Sequence, residues 1–132
     1  MKDRRIYLDK TEQVLQVVGD RIYIDIDELA EAVNMSRGAL KGVLDELERE
    51  YRVARTKSGK YALASTLGLF RGTLDCKQGG FAFLRTPEDM EDIFVPPSHK
   101  GGAFNGEDVL VRLSKRQQDG KHLEGKVIKV LS

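Results

Sequence analysis

Cys76 is the only cysteine in the sequence. No disulfide can form within the chain, and a reducing, cytoplasmic setting is expected. Histidine is almost as scarce. His99 and His122 have no Cys or His partner at ligand spacing, which removes the usual zinc frameworks. No apolar run comes near the ~20 residues of a membrane-spanning helix. The opening residues, Met1-Lys2-Asp3-Arg4-Arg5, carry charge but lead into no apolar stretch, so no secretory leader is expected. An excess of one charge is missing too. With 22 Lys/Arg against 21 Asp/Glu the net charge is +1, so only the distribution of charge can argue for a nucleic-acid partner. There is no phosphate-binding P-loop, no dinucleotide-binding glycine motif and no Ser/His/Asp set. Neither catalytic residues nor a membrane or small-molecule partner is expected.

What is present fits a soluble folded protein. The 132 residues are 40% hydrophobic and 33% charged, enough for one ordinary domain or two small ones. The pattern changes near Leu67-Gly68: four of the 13 glycines precede this point and nine follow or occupy it. Helical spacing dominates before it. Short alternating runs dominate after it. Residues 1–66 and 67–132 are therefore expected to form separate domains, and the chain as a whole to be α+β.

In the first half, Val14, Leu15 and Val18 form a helical stripe that Gly19 is expected to end. Asp25 and Glu28 have the spacing of a capping box before a second helix with Ile26, Leu29, Ala30 and Val33 on its buried face. Asn34-Met35 makes a turn, and Ser36 is a natural N-cap for a third helix. Leu40, Val43, Leu44 and Leu47 form its buried stripe. A hairpin follows, from Tyr51 to Ala64, with a two-residue turn expected at Ser58-Gly59. This is the order of a winged helix-turn-helix. Its wing carries Arg52, Arg55, Lys57 and Lys60 and no acid between Tyr51 and Tyr61, so it is a candidate for phosphate contact. A plain solvated hairpin is the alternative. On the third helix Arg37 and Lys41 could reach DNA, but Asp45, Glu48 and Glu50 follow them. The half is neutral, with 12 cations and 12 acids. Duplex-DNA reading is not favoured, and protein docking stays open.

The second half reads as five strands, near Leu69–Lys77, Gly80–Arg85, Asp92–Val95, Asp108–Ser114 and Leu123–Leu131. Five short antiparallel strands predict an OB barrel. Alternation places Phe81, Phe83 and Arg85 on one face of the second strand, and Asp92, Phe94 and Pro96 on one face of the third. Burying Arg85 and Asp92 in so small a barrel would be costly, so those faces should be the outer ones. Phe81, Phe83 and Phe94 then lie at the surface, where bases of single-stranded nucleic acid could stack on them. Arg71, Lys77 and Arg85 would guide the backbone. A register one residue off would instead bury the phenylalanines, and an outer patch could serve a protein partner.

Gly72-Thr73-Leu74, Gly80-Phe81-Ala82-Phe83-Leu84 and Glu91-Asp92-Ile93-Phe94-Val95 resemble the cold-shock pattern, which has G-F-G-F at its centre. More specifically they resemble the first cold-shock domain of ribonuclease R-like exoribonucleases, of the ribonuclease II family. Ala103-Phe104-Asn105-Gly106-Glu107-Asp108-Val109-Leu110-Val111 matches that family's A-M-x-G-D-x-V-x-V. Glu124-Gly125-Lys126-Val127-Ile128-Lys129-Val130-Leu131 matches its E-G-x-V-x-x-V-L. The family also places a helix-turn-helix before the barrel. Where free cold-shock proteins have Lys, Trp and Phe at the end of the first strand, this sequence has Asp75, Cys76 and Lys77, so one stacking platform is missing and weaker single-strand affinity is expected. Cys76 is expected to pack rather than react.

The resemblance implies an accessory region that binds single-stranded or structured RNA and delivers it to a 3′-to-5′ exoribonuclease domain outside this chain. That domain would hold a divalent metal, Mg, in an aspartate cluster. A ribosome or helicase partner is conceivable for the helical module. The chain is expected to be a piece of the longer enzyme and to need no cofactor itself. The acidic run Glu88, Asp89, Glu91 and Asp92 is expected to be a solvated loop rather than a metal site. The competing reading is a stand-alone duplex-DNA regulator.

Overall fold

A computed structural model describes residues 9–86, 91–116 and 123–132. Contacts divide the chain into two compact units, one ending at Leu67 and the other beginning at Gly68.

The first unit has three helices and a hairpin: α1 (Lys10–Arg21), α2 (Ile26–Val33), α3 (Arg37–Arg49), β1 (Val53–Arg55) and β2 (Tyr61–Leu63). Each helix starts on a short polar side chain that accepts an otherwise unpaired backbone N–H. Asp9 accepts from the Glu12 amide at 2.9 Å, Asp25 from Glu28 at 2.8 Å, and Ser36 from Ala39 at 3.2 Å. Val14, Val18, Leu29, Val33, Leu40, Leu44 and Leu47 then meet in one buried cluster with Ile24, Val53 and Tyr61. Ile24 and Tyr61 exchange two backbone hydrogen bonds, which tie the α1–α2 connection to the hairpin.

Two local expectations are corrected. Gly19 does not end α1, which continues to Arg21 and is capped by Ile22 at φ 71°. Gly19 is a point of close approach instead: a Cβ there would lie 3.1 Å from Leu63 Cδ1. The hairpin turn is longer than two residues. The Thr56 amide donates to the Lys60 carbonyl at 2.7 Å, and the Gly59 amide donates back to Thr56 at 2.9 Å, with Gly59 at φ 86°.

The second unit has five strands: β3 (Leu69–Cys76), β4 (Ala82–Arg85), β5 (Ile93–Val95), β6 (Asp108–Arg116) and β7 (Leu123–Val130). They close a barrel in the order β3-β4-β5-β7-β6. The expectation of uniformly antiparallel strands is corrected: β5 and β7 run parallel. A ring of five strands cannot alternate direction all the way round, so one neighbouring pair must agree. Register shifts after Leu110 and after Leu113 mark irregularities in the long β6–β7 ladder, of the kind that bend a strand around a small barrel. Leu74, Ala82, Leu84, Ile93, Val95, Val109, Val111 and Val127 fill the interior, with Cys76 packed at its margin. Architecture and content are those of an α+β chain with an OB barrel.

No helix among the described residues is long and apolar enough to cross a membrane.

Candidate nucleic-acid interface

The barrel's outer face follows from strand alternation. Ala82 and Leu84 of β4 and Ile93 and Val95 of β5 point inward and are fully buried. Phe83, Arg85 and Phe94 therefore point outward. Phe83 lies directly across from Phe94, and on its other side across from Asp75 of β3. Phe81 joins them through the β3–β4 turn, where the Lys77 amide donates to the Phe81 carbonyl at 2.8 Å. Gly79 and Gly80 sit at φ 99° and 94° in this turn, a backbone that side chains rarely adopt. The turn thereby folds Phe81 back over its neighbours.

The three rings form one patch. Centroids are 5.9 Å apart for Phe81–Phe83, 5.7 Å for Phe81–Phe94 and 5.8 Å for Phe83–Phe94. Phe81 and Phe83 meet edge to face at 89°. All three are half-buried, which reflects packing on one another at the surface. A register slip that would place them in the core is thus ruled out.

The cations around the patch are engaged. Arg85 pairs with Asp75 at 2.6 Å and with Asp92 at 3.3 Å. Lys77 pairs with the same Asp75 at 3.1 Å. The Arg85 hydrogen bond, and after it that of Lys77, holds the Asp75 carboxyl below the usual carboxylate range. The Arg85 guanidinium is raised in turn by Asp75. Arg71 is not brought to the patch. It pairs with Asp108 at 2.6 Å, and its position four residues before Asp75 places it roughly 13 Å away along the strand.

This arrangement predicts an NMR result. The Asp75 carboxyl should titrate clearly below the ordinary value of about 3.9 and move back towards it in Arg85→Gln. A depressed folded-state pKa stabilises the fold above the unfolded value, and that contribution is lost as pH falls through the folded value. The window therefore lies below about pH 4. An Asp75 signal titrating at the ordinary value would show that the ion pairs do not persist in solution.

In the helical unit, Arg37 pairs with Asp27 at 3.0 Å and Lys41 with Asp45 at 2.6 Å. The Lys41 hydrogen bond lowers the Asp45 carboxyl, and Asp45 raises the Lys41 ammonium. Arg55 lies 3.8 Å from Glu48 and 5.8 Å over the Tyr61 ring. Arg52 lines a groove with Glu12, Glu46 and Glu50. Lys57 and Lys60 make no ion pair with a described residue, and both are exposed.

Two residues were named from the sequence without a role at the site. Asp75 stands at the centre of the ion-pair cluster, but strand register rather than local pattern assembles that cluster. Phe104 is 73% exposed, more than any other large apolar side chain described. Its amide donates to Glu107 Oε1 at 2.7 Å, and the neighbouring Asn105 Oδ1 accepts from the Cys76 amide at 2.8 Å, so its turn is anchored to β3. The glycines around Phe104 were the available signal. Glu88, Asp89 and His122 lie outside the described residues. Among the described residues no three His, Cys, Asp or Glu side chains are placed to hold a metal ion.

Comparison with known proteins agrees with the barrel. The family model described as the Ribonuclease B OB domain matches residues 72–130. Ribonuclease R of Acidithiobacillus ferrooxidans is 29% identical over 107 residues, 81% of this chain and 24% of that protein. The chain thus spans about a quarter of the length of this curated relative. Residues 72–130 thus match the Ribonuclease B OB domain, and the chain is similar over most of its length to the ribonuclease R of one bacterium.

Proposed function

We propose that this chain is an RNA-binding accessory region that holds single-stranded RNA on Phe81, Phe83 and Phe94 and passes it to an exoribonuclease domain outside the chain. The mutual tilt of the three rings supports this reading most directly. Their planes are inclined to one another by 39–89°, so bases stacked on two of them cannot also lie parallel to each other. A strand can use two of these rings only if its bases are unstacked from each other, which a duplex resists and a single strand allows. By analogy with ribonuclease R, the downstream chemistry would be 3′-to-5′ hydrolysis with divalent metal, and the setting the cytoplasm.

The helical unit reads as a winged helix whose hairpin offers Lys57 and Lys60 to structured RNA, a ribosome or a helicase. Duplex-DNA reading by α3 is disfavoured because Arg37 and Lys41 are already paired with acids.

The test is fluorescence anisotropy with labelled single-stranded RNA and duplex DNA, at low and moderate salt. Preferential single-strand binding is expected. Tight duplex binding that depends on Arg37 and Lys41 would overturn the proposal in favour of a DNA regulator. Binding to neither would move the function to protein docking.

A further inference from the structure

The charges beside the aromatic patch are arranged in an unusual way for a surface meant to meet phosphates. Lys77 and Arg85 flank Phe81 and Phe83, yet both reach the same carboxylate, Asp75, at 3.1 and 2.6 Å. Asp75 is Phe83's cross-strand partner, so its carboxylate sits in the row of the rings. Register places Glu124 on the opposite flank of that row, beside Phe94. Asp92 takes a second position on Arg85 at 3.3 Å. Among the described side chains beside the rings, the two cations Lys77 and Arg85 thus face three acids, Asp75, Asp92 and Glu124.

A carboxylate and a phosphodiester oxygen compete for the same donors: both are anionic acceptors that a guanidinium or ammonium can bind. We infer that Asp75 acts as an internal stand-in for an RNA phosphate, occupying Lys77 and Arg85 when RNA is absent and limiting affinity when it binds. The inference rests on the single-strand reading above. Binding requires the two cations to exchange Asp75 for phosphate, leaving Asp75 close to the incoming backbone. Part of the electrostatic gain is cancelled, and stacking carries a larger share of the affinity. A face set this way holds RNA weakly enough for the strand to slide, which suits a region that passes RNA onward.

The exchange leaves a measurable signature in salt dependence. Each phosphate newly neutralised on a single strand steepens the plot of log affinity against log salt by about 0.7. Asp75→Asn keeps the side chain's size and removes its charge. It should bind single-stranded RNA about tenfold more tightly at low salt, with a slope steeper by up to about 0.7, because no freed Asp75 carboxylate then offsets one of the two phosphate contacts. Asp92→Asn, which removes only the longer of Arg85's two ion pairs, should give a smaller gain in the same direction. Circular dichroism and melting of each variant confirm the fold, and Asp92→Asn keeps the test open if Asp75→Asn melts early.

The outcomes separate the two readings. Tighter, more salt-sensitive binding by Asp75→Asn supports the inference, including where the unmodified chain binds too weakly to measure. Wild-type binding that needs the phenylalanines, with no gain in affinity or slope in either variant, overturns the inference and leaves the single-strand reading standing. Absence of binding by the wild type and by both variants overturns both.

Discussion

Phe83→Ala is expected to weaken binding of single-stranded RNA by between about fivefold and about 150-fold, the equivalent of one lost base stack at ~1–3 kcal/mol. Phe83 is the residue to change first because it lies between Phe94 and Asp75 in the row that the strands create. The triple change of Phe81, Phe83 and Phe94 to alanine should remove at least about a hundredfold. Loss of ring–ring contacts costs the barrel about 0.5–1.5 kcal/mol per pair, but the interior side chains Ala82, Leu84, Ile93 and Val95 are untouched. Both variants should therefore melt cooperatively at a lower temperature. Unchanged affinity in a folded triple variant would remove the patch from the function.

The second large effect is on stability. A Cβ at Gly72 would lie 2.3 Å from the Arg85 carbonyl oxygen and 2.9 Å from its carbon. Both are backbone atoms of the adjacent strand β4, held by the Thr73–Arg85 pairing. No rotamer change can relieve that clash, so β3 and β4 must separate. Gly72→Ala should cost at least the ~3 kcal/mol upper end of ordinary overpacking. For a domain of this size that corresponds to a fall in melting temperature of about 12–24 °C. Gly38 in α3 makes the contrast. A Cβ there meets nothing within 4 Å, so Gly38→Ala should stabilise the helix by about 0.5–1 kcal/mol. Differential scanning calorimetry of the two variants reads both signs. A Gly72→Ala protein that melts like the wild type would mean that the β3–β4 ladder yields far more easily than its register implies.

The sequence made the barrel's faces legible because Arg85 and Asp92 are charged. Their positions fixed the outer side of β4 and β5, and alternation carried the phenylalanines with them. Helix starts were legible at Asp25 and Ser36 because capping is a local transaction between residues three apart. Gly19 misled for the opposite reason: a glycine that ends a helix and one that admits a neighbouring element look alike until Leu63 is in place. The two-residue turn at Ser58-Gly59 failed similarly, since loop length depends on which residues of the two strands pair. Strand direction at β5 and β7 is a property of ring closure that no window along the chain contains. The clustering of Asp75, Lys77, Arg85 and Asp92 was equally hidden. Each was visible as a charge, but it takes register between β3 and β4, and the chain's return to β5, to make them one network.

Closure of the barrel has a mechanical side. β5 is three residues long, and among the described residues it meets β7 through two paired positions, Ile93 with Leu123 and Phe94 with Glu124. The Leu123 amide adds one bond to the Glu91 side chain at 3.2 Å. Every other seam of the barrel has more paired positions. One of the three rings, Phe94, is mounted on this shortest of the described ladders. Any pull that a captured strand exerts on Phe94 is delivered to the clasp of the barrel rather than to its hoops.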